Sequence, residues 1–146
     1  MIGLVQRVKR ASVDVSDARV GEIEQGILLL LGIEKTDTQI TADKLIDKIL
    51  AYRMFADDQN KMNCNLQQID GGILVVSQFT LAADTQKGLR PSFSSAMPPA
   101  EAEQLYNYFV TSINAKHKKV ATGIFGADMQ VSLVNDGPVT FMLRMD

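Results

Sequence analysis

The chain has 146 residues, the length of about one domain, and a chain of this size buries about two-thirds of its unfolded surface without staples. With 46% hydrophobic and 22% charged residues, ten Gly and four Pro, it excludes a disordered or fibrous protein. Fifteen Lys and Arg against seventeen Asp and Glu leave a net charge of −2, which argues against coating nucleic acid nonspecifically but permits one local basic patch.

The longest apolar run, Ile27 to Ile33, is far short of the roughly 20 residues needed to cross a bilayer. Met1 to Arg7 lack the basic, apolar and small-residue regions of an export signal. One cysteine, Cys64, excludes an intrachain disulfide, and one histidine, His117, excludes any metal site that needs two. The expectations are a reducing cytoplasm, no membrane, no DNA partner, no metal and no cofactor.

In chain order, Gly3 to Arg10 and the alternating Ser12-Val13-Asp14-Val15 read as strands, with Ser16-Asp17 as a turn and Val20 to Ile23 as a return strand. Gly26 to Ile33 suits a strand buried on both faces. A helix follows, capped by Asp37 or Thr38, with Leu45, Ile46, Ile49, Leu50 and Arg53 at helical spacing and Asp57-Asp58-Gln59-Asn60 at its end. Gly71-Gly72 launches a strand over Ile73 to Leu81. Pro98-Pro99 opens a second helix with Glu101 and Glu103 in its first turn and Leu105, Phe109 and Ile113 on its buried stripe. Three closing strands fit Lys119 to Ile124, Met129 to Val134 and Val139 to Met145. The fold class is α/β: residues 1–146 form a single mixed domain, with a strand-rich barrel-like sheet and two main helices.

Few residues suggest chemistry alone. His117, within Lys116-His117-Lys118-Lys119, is either a solvated helix end complementing the dipole or part of a patch for RNA phosphates. Cys64 has no partner in sequence that would lower its pKa. Asp57 to Asn60 hints at calcium, but such a loop wants Gly at Met62 and Glu at Gln68. Ser77 and Thr80 lack a nucleophile elbow, and Asn135-Asp136-Gly137-Pro138 reads as an ordinary turn.

Together, Ser77-Gln78-Phe79-Thr80-Leu81 and Asn135-Asp136-Gly137-Pro138-Val139-Thr140 closely resemble the D-aminoacyl-tRNA deacylases, which remove D-amino acids wrongly esterified to tRNA. The resemblance runs nearly end to end, through Gln6-Arg7-Val8, Ala11-Ser12-Val13, Lys61-Met62-Asn63, Gly88 to Phe93 and Gly123 to Met129. It implies a homodimer in which Gly137-Pro138, joined by a cis bond, enters the partner's site opposite Ser77 to Thr80. The carbonyls of Gly137 and Pro138 would then block an L side chain. It also implies that the 2′-hydroxyl of the terminal adenosine assists hydrolysis.

Ester hydrolysis needs an oxyanion site, and backbone N–H groups around Gln78 and Phe79 are the expected donors, with Ser77 and Thr80 as helpers. Thr80 lacks a neighbouring base, so its expected role is positioning. By the same resemblance Phe125 and Met129 would wall an adenosine pocket, while Arg7 and Asn135 would support the Gly137-Pro138 turn. Lys87, Arg90, Lys116, Lys118 and Lys119 are candidates for tRNA phosphates. Two rival readings are a non-catalytic dimeric RNA- or small-ligand-binding module, and an esterase in which His117 reaches Thr80.

Overall fold

The computed structural model describes residues 1–146. Its frame is β1 (Ile2–Val15), one uninterrupted strand where the sequence suggested two. Partners on both edges keep it continuous. On one edge its first half pairs with β3 (Gly26–Gly32) and its second half with β2 (Ala18–Ile23), while β8 (Gln130–Arg144) runs antiparallel along the other. The sheet continues in parallel from β3 to β6 (Gly72–Ser77) and then to β7 (Val120–Thr122).

Side chains of β3 and β6 alternate between two apolar layers, as the two-residue period of a strand requires. Ile27, Leu29, Leu31, Ile73 and Val75 face the two helices, α1 (Gln39–Ala51) and α2 (Pro99–Lys116). Leu28, Leu74 and Val76 face inward, against Val8, Ala11 and Val13 of β1. This two-sided burial explains the unbroken apolar run. The sheet curls until β2 meets β7, where a β-carbon on Gly21 would collide with the Thr122 carbonyl oxygen.

Several boundaries differ from the sequence reading. Thr38, not Asp37, caps α1, because Asp37 instead accepts from the buried Met1 amine and the Glu34 N–H. The helix ends at Ala51, leaving Arg53 outside it, and Asp57 to Asn60 form the tip of a hairpin. Its strands are β4 (Phe55–Ala56) and β5 (Met62–Cys64). The Asp57 carboxylate ties that tip by accepting from the Gln59 and Lys61 N–H and the Asn63 amide, which hold its pKa below the usual range.

β6 stops at Ser77, its last residue paired with β3, and Phe79–Ala82 form a single 3-10 turn instead of further strand. The strand expected over Lys119 to Ile124 shortens to Val120–Thr122. The last two expected strands are one strand, β8, because both halves pair with the same long β1. Asn135 to Pro138 therefore bulge from a strand and do not reverse the chain.

Barrel closure at Gly21 generates a stability prediction. Gly21→Ala forces a methyl group against backbone, and overpacking of this kind costs about 1–3 kcal/mol. A lowering of Tm by roughly 5 °C is expected in thermal denaturation followed by circular dichroism.

Candidate active site

The carboxyl ends of the three parallel strands, β3, β6 and β7, open on the same side, the place where open α/β sheets bind ligands. A cavity of about 360 Å³ lies there. Leu31 and Ile33 follow from β3, Ser77 and Phe79 from β6, and Phe125 from the segment after β7. The loop before α2 adds Phe93. None of the eleven lining residues carries a carboxylate, an imidazole, a thiol or a cationic side chain.

At its rim, Gln78 has left the strand conformation, with φ −140° and ψ 79°. Its backbone N–H donates to the Leu31 carbonyl at 2.8 Å, so it is already spoken for. The Phe79 and Thr80 N–H groups open the 3-10 turn, at the end where a helical turn offers them no acceptor of its own. The Gln78 side-chain amide donates to the Thr80 hydroxyl at 2.6 Å, which fixes the orientation of that oxygen. Phe79 is more than half exposed and packs at 5.1 Å, tilted, on Phe93.

Phe125 is held from beneath by Tyr106 of α2, the ring centroids 5.5 Å apart. Burial pushes the Tyr106 phenol up to about 12, and as a neutral group it donates to the Val75 carbonyl. Tyr106 stands three residues before Phe109 and seven before Ile113, on the same buried face of α2, so helical spacing alone could have found it. Phe93 was visible only as part of a motif. Met129 does not line the cavity. It packs with the inner apolar layer, where its sulfur occupies the space beside Gly123.

The second motif lies elsewhere. Gln6 pairs with Thr140 and Val8 with Asn135, so four residues, Asp136 to Val139, stand opposite Arg7 alone. Inside this bulge the Gly137–Pro138 bond is cis, and Gly137 has φ +140°, where an L side chain is strained. Arg7 donates from Nε to the Asp136 carbonyl at 2.8 Å and from Nη1 to the Met54 carbonyl at 3.0 Å. Asn135 accepts from the Val139 N–H at 2.7 Å and donates to the Thr140 hydroxyl at 2.9 Å. The bulge is thus clamped at both shoulders.

Strand register separates the two motifs within one chain. Ser77 is level with Leu31 of β3, whereas Arg7 is level with Ile27. Four residues of strand span about 13 Å. A single subunit does not bring Gly137-Pro138 to Ser77 through Thr80.

The basic segment lies at the far end from the cavity. Lys116 pairs with Asp47 at 2.6 Å and Lys119 with Asp70 at 2.9 Å, raising the Lys116 pKa and lowering that of Asp70. Lys118 alone of the three has no carboxylate partner. His117 is neither solvated nor near Thr80: it is buried at the helix end, its Nε2 2.8 Å from the Gly71 carbonyl oxygen. That carbonyl precedes β6, and Thr80 follows its other end, so the His117-assisted esterase is ruled out. Cys64 lies on β5, half-buried and outside the cavity. No three His, Cys, Asp or Glu side chains cluster as metal ligands, and no helix is long and apolar enough to cross a membrane.

Comparison with known proteins agrees along the whole chain. It is 77% identical over 146 residues to the D-aminoacyl-tRNA deacylase of Cellvibrio japonicus, covering 100% of both chains. It is 63% identical to that of Saccharophagus degradans, over 97% of this chain and 98% of the other. Among solved structures, one described as c-Myc DNA Unwinding Element Binding Protein superposes with a TM-score of 0.95 at 41% identity, covering 99% of this chain and 98% of that one. A probable eukaryotic D-amino acid tRNA deacylase shares the fold, with a TM-score of 0.86 at 15% identity and 97% of both chains covered. The family model for D-Tyr-tRNA(Tyr) deacylase matches residues 4–144, and the chain belongs to that family.

Proposed function

We propose that this hydrolase proofreads chirality, cleaving the ester of D-aminoacyl-tRNA to free D-amino acid and tRNA while sparing the L-aminoacyl ester. The observation that carries the mechanism is the start of the 3-10 turn, whose first N–H groups, Phe79 and Thr80, have no acceptor within the turn, beside a cavity without an ionisable side chain. Apolar walls suit the adenine ring of the terminal adenosine, with Phe79 and Phe125 as its flanks. Water adds to the ester carbonyl carbon, and the oxygen gains negative charge toward the two N–H groups. The 3′-oxygen then leaves with a proton. Without a protein base in reach, the 2′-hydroxyl of the same ribose relays that proton. Thr80, held by Gln78, positions the substrate.

Selectivity comes from a second subunit. The register leaves Gly137-Pro138 about 13 Å from Ser77 along the sheet of its own chain. β8 also pairs with β1 alone, which leaves its other edge without a strand partner in the chain, a surface suited to self-association. In a homodimer the Gly137 and Pro138 carbonyls of one subunit wall the partner's site at the α-carbon. With the amino group and ester fixed, an L side chain strikes these oxygens and a D side chain points to open space. A mismatch of about 4 kcal/mol gives roughly thousandfold discrimination. Arg7 and Asn135 keep that wall from yielding. Lys118 and the loop cations Lys87 and Arg90 remain free to contact tRNA phosphates, and the protein acts in the cytoplasm.

Purified protein incubated with D- and L-tyrosyl-tRNA tests the reading directly. Release of D-tyrosine alone is expected. A non-catalytic binding module releases neither, and an unselective esterase releases both.

The RNA-assisted step predicts an order of effects. Thr80→Ala is expected to retain substantial deacylation, because positioning is shared with backbone groups. A D-aminoacyl-tRNA ending in 2′-deoxyadenosine should react far more slowly than the ribose form. Abolition by Thr80→Ala with the deoxy substrate still cleaved reverses that order and removes the 2′-hydroxyl from the mechanism.

Exclusion also predicts the fate of glycine. Its second α-hydrogen is too small to strike the Gly137-Pro138 carbonyls, so glycyl-tRNA should be hydrolysed while L-alanyl-tRNA, one methyl larger, survives. Parallel time courses at equal enzyme read this out. Stable glycyl-tRNA means that the pocket grips a D side chain positively.

A further inference from the structure

Beside the cavity a loop stands out from the body of the protein. Asp84 and Ser92 exchange backbone hydrogen bonds at 2.8 and 3.0 Å, closing the seven residues 85–91 into a projection. Its root is fixed to the site. Ser95 donates from its hydroxyl to the Ala82 carbonyl at 2.6 Å and accepts from the Lys35 N–H, while Met97 donates to the Ile33 carbonyl. Every residue from Asp84 to Ser94 is exposed. Gly88, with φ +70°, turns the tip, and its missing β-carbon would meet open space.

The tip residue is the oddity. Leu89 is fully exposed, where a solvated turn would carry a polar residue. A lone exposed leucine means little. This one tips a loop whose root carries two exposed aromatic rings. Phe79 and Phe93, both exposed, pack tilted on each other at the cavity mouth and the loop root, and Leu89 precedes Phe93 by four residues. Lys87 and Arg90 flank the tip, and neither has a carboxylate partner. Apolar faces in series beside unpaired cations form the pattern that holds single-stranded nucleic acid, where bases stack and phosphates are neutralised. Double-stranded RNA, by contrast, presents no free base face.

We propose that the loop 85–91 holds the single-stranded 3′ end of the substrate RNA, with Leu89 packed on an unpaired base upstream of the terminal adenosine and Lys87 and Arg90 on the adjoining phosphates. This rests on the deacylase reading and extends it from the reacting ester to the nucleotides behind it. With the terminal adenosine in the cavity, the preceding nucleotides must leave past Phe79 and Phe93. The loop is the next surface they meet. Contact there acts before the chemical step and is absent for a substrate cut back to the adenosine.

The test compares D-alanyl-tRNA with 3′-O-D-alanyl-adenosine for the native protein, Leu89→Ser, Leu89→Phe and Lys87→Gln/Arg90→Gln. Leu89→Ser should raise KM for D-alanyl-tRNA roughly tenfold with kcat unchanged. It should leave hydrolysis of 3′-O-D-alanyl-adenosine unaltered, and Leu89→Phe should restore KM. The double cation variant should flatten the dependence of log KM on log salt by about 0.7 for each charge removed. The proposal is overturned if Leu89→Ser slows both substrates alike, leaves KM for D-alanyl-tRNA unchanged, or alters the sedimentation coefficient, which would make the loop a contact between subunits. Those failures leave D-alanyl-tRNA hydrolysis by the native protein intact. Absence of hydrolysis by the native protein overturns the deacylase reading with it.

Discussion

The antiparallel pairing of β1 with β8 is the constraint on which both ends of the molecule depend. It runs almost the full length of two strands of fourteen and fifteen residues. A ladder that long holds its register, because a one-residue slip would turn Val5, Val8, Ala11 and Val13 out of the core. Register held on both sides lets the chain insert extra residues opposite Arg7 without disturbing the pairing beyond them. The guanidinium then fills the gap beneath the bulge, bonded to Asp136 on one side and Met54 on the other.

The parallel half of the sheet does the complementary work. β3, β6 and β7 end together, and the chain must turn away at each end, leaving backbone N–H groups that no strand can satisfy. At Gln78 the chain turns so that its own N–H closes onto Leu31, while Phe79 and Thr80 begin a 3-10 turn that offers their N–H groups no acceptor of its own. The surrounding walls are apolar, and Tyr106 is fixed beneath Phe125 by a bond to Val75. An apolar pocket with backbone N–H groups beside it suits the proposed substrate, an activated ester, whose hydrolysis needs charge stabilisation more than a strong base.

Much of this was legible in the residues. The glycine-bounded apolar runs marked β3 and β6, and helical spacing marked α1 and α2, because those elements are buried by their own periodic pattern. The misreadings share one cause. Whether Gly3 to Val15 is one strand or two, and whether Asn135 to Pro138 is a turn or a bulge, depends on a partner more than a hundred residues away. Ile73 to Leu81 reads as one strand by propensity, yet its pairing with β3 ends at Ser77, where Gln78 leaves the strand conformation and the chain enters the 3-10 turn. His117 looked like a solvated cation among lysines, and tertiary packing buried it against Gly71.

By itself the sequence determined the fold class, the order of the main elements and the family, since hydrophobic period and short motifs are local properties of the chain. Tertiary structure alone decided that the Gln78 N–H is taken by Leu31, which lysines are already paired, that Met129 lies outside the cavity, and that the two motifs stand four strand residues apart within one subunit. Each of these depends on distances between residues remote in sequence. Such distances are set by strand register and by the curl of the sheet, and no local pattern encodes them.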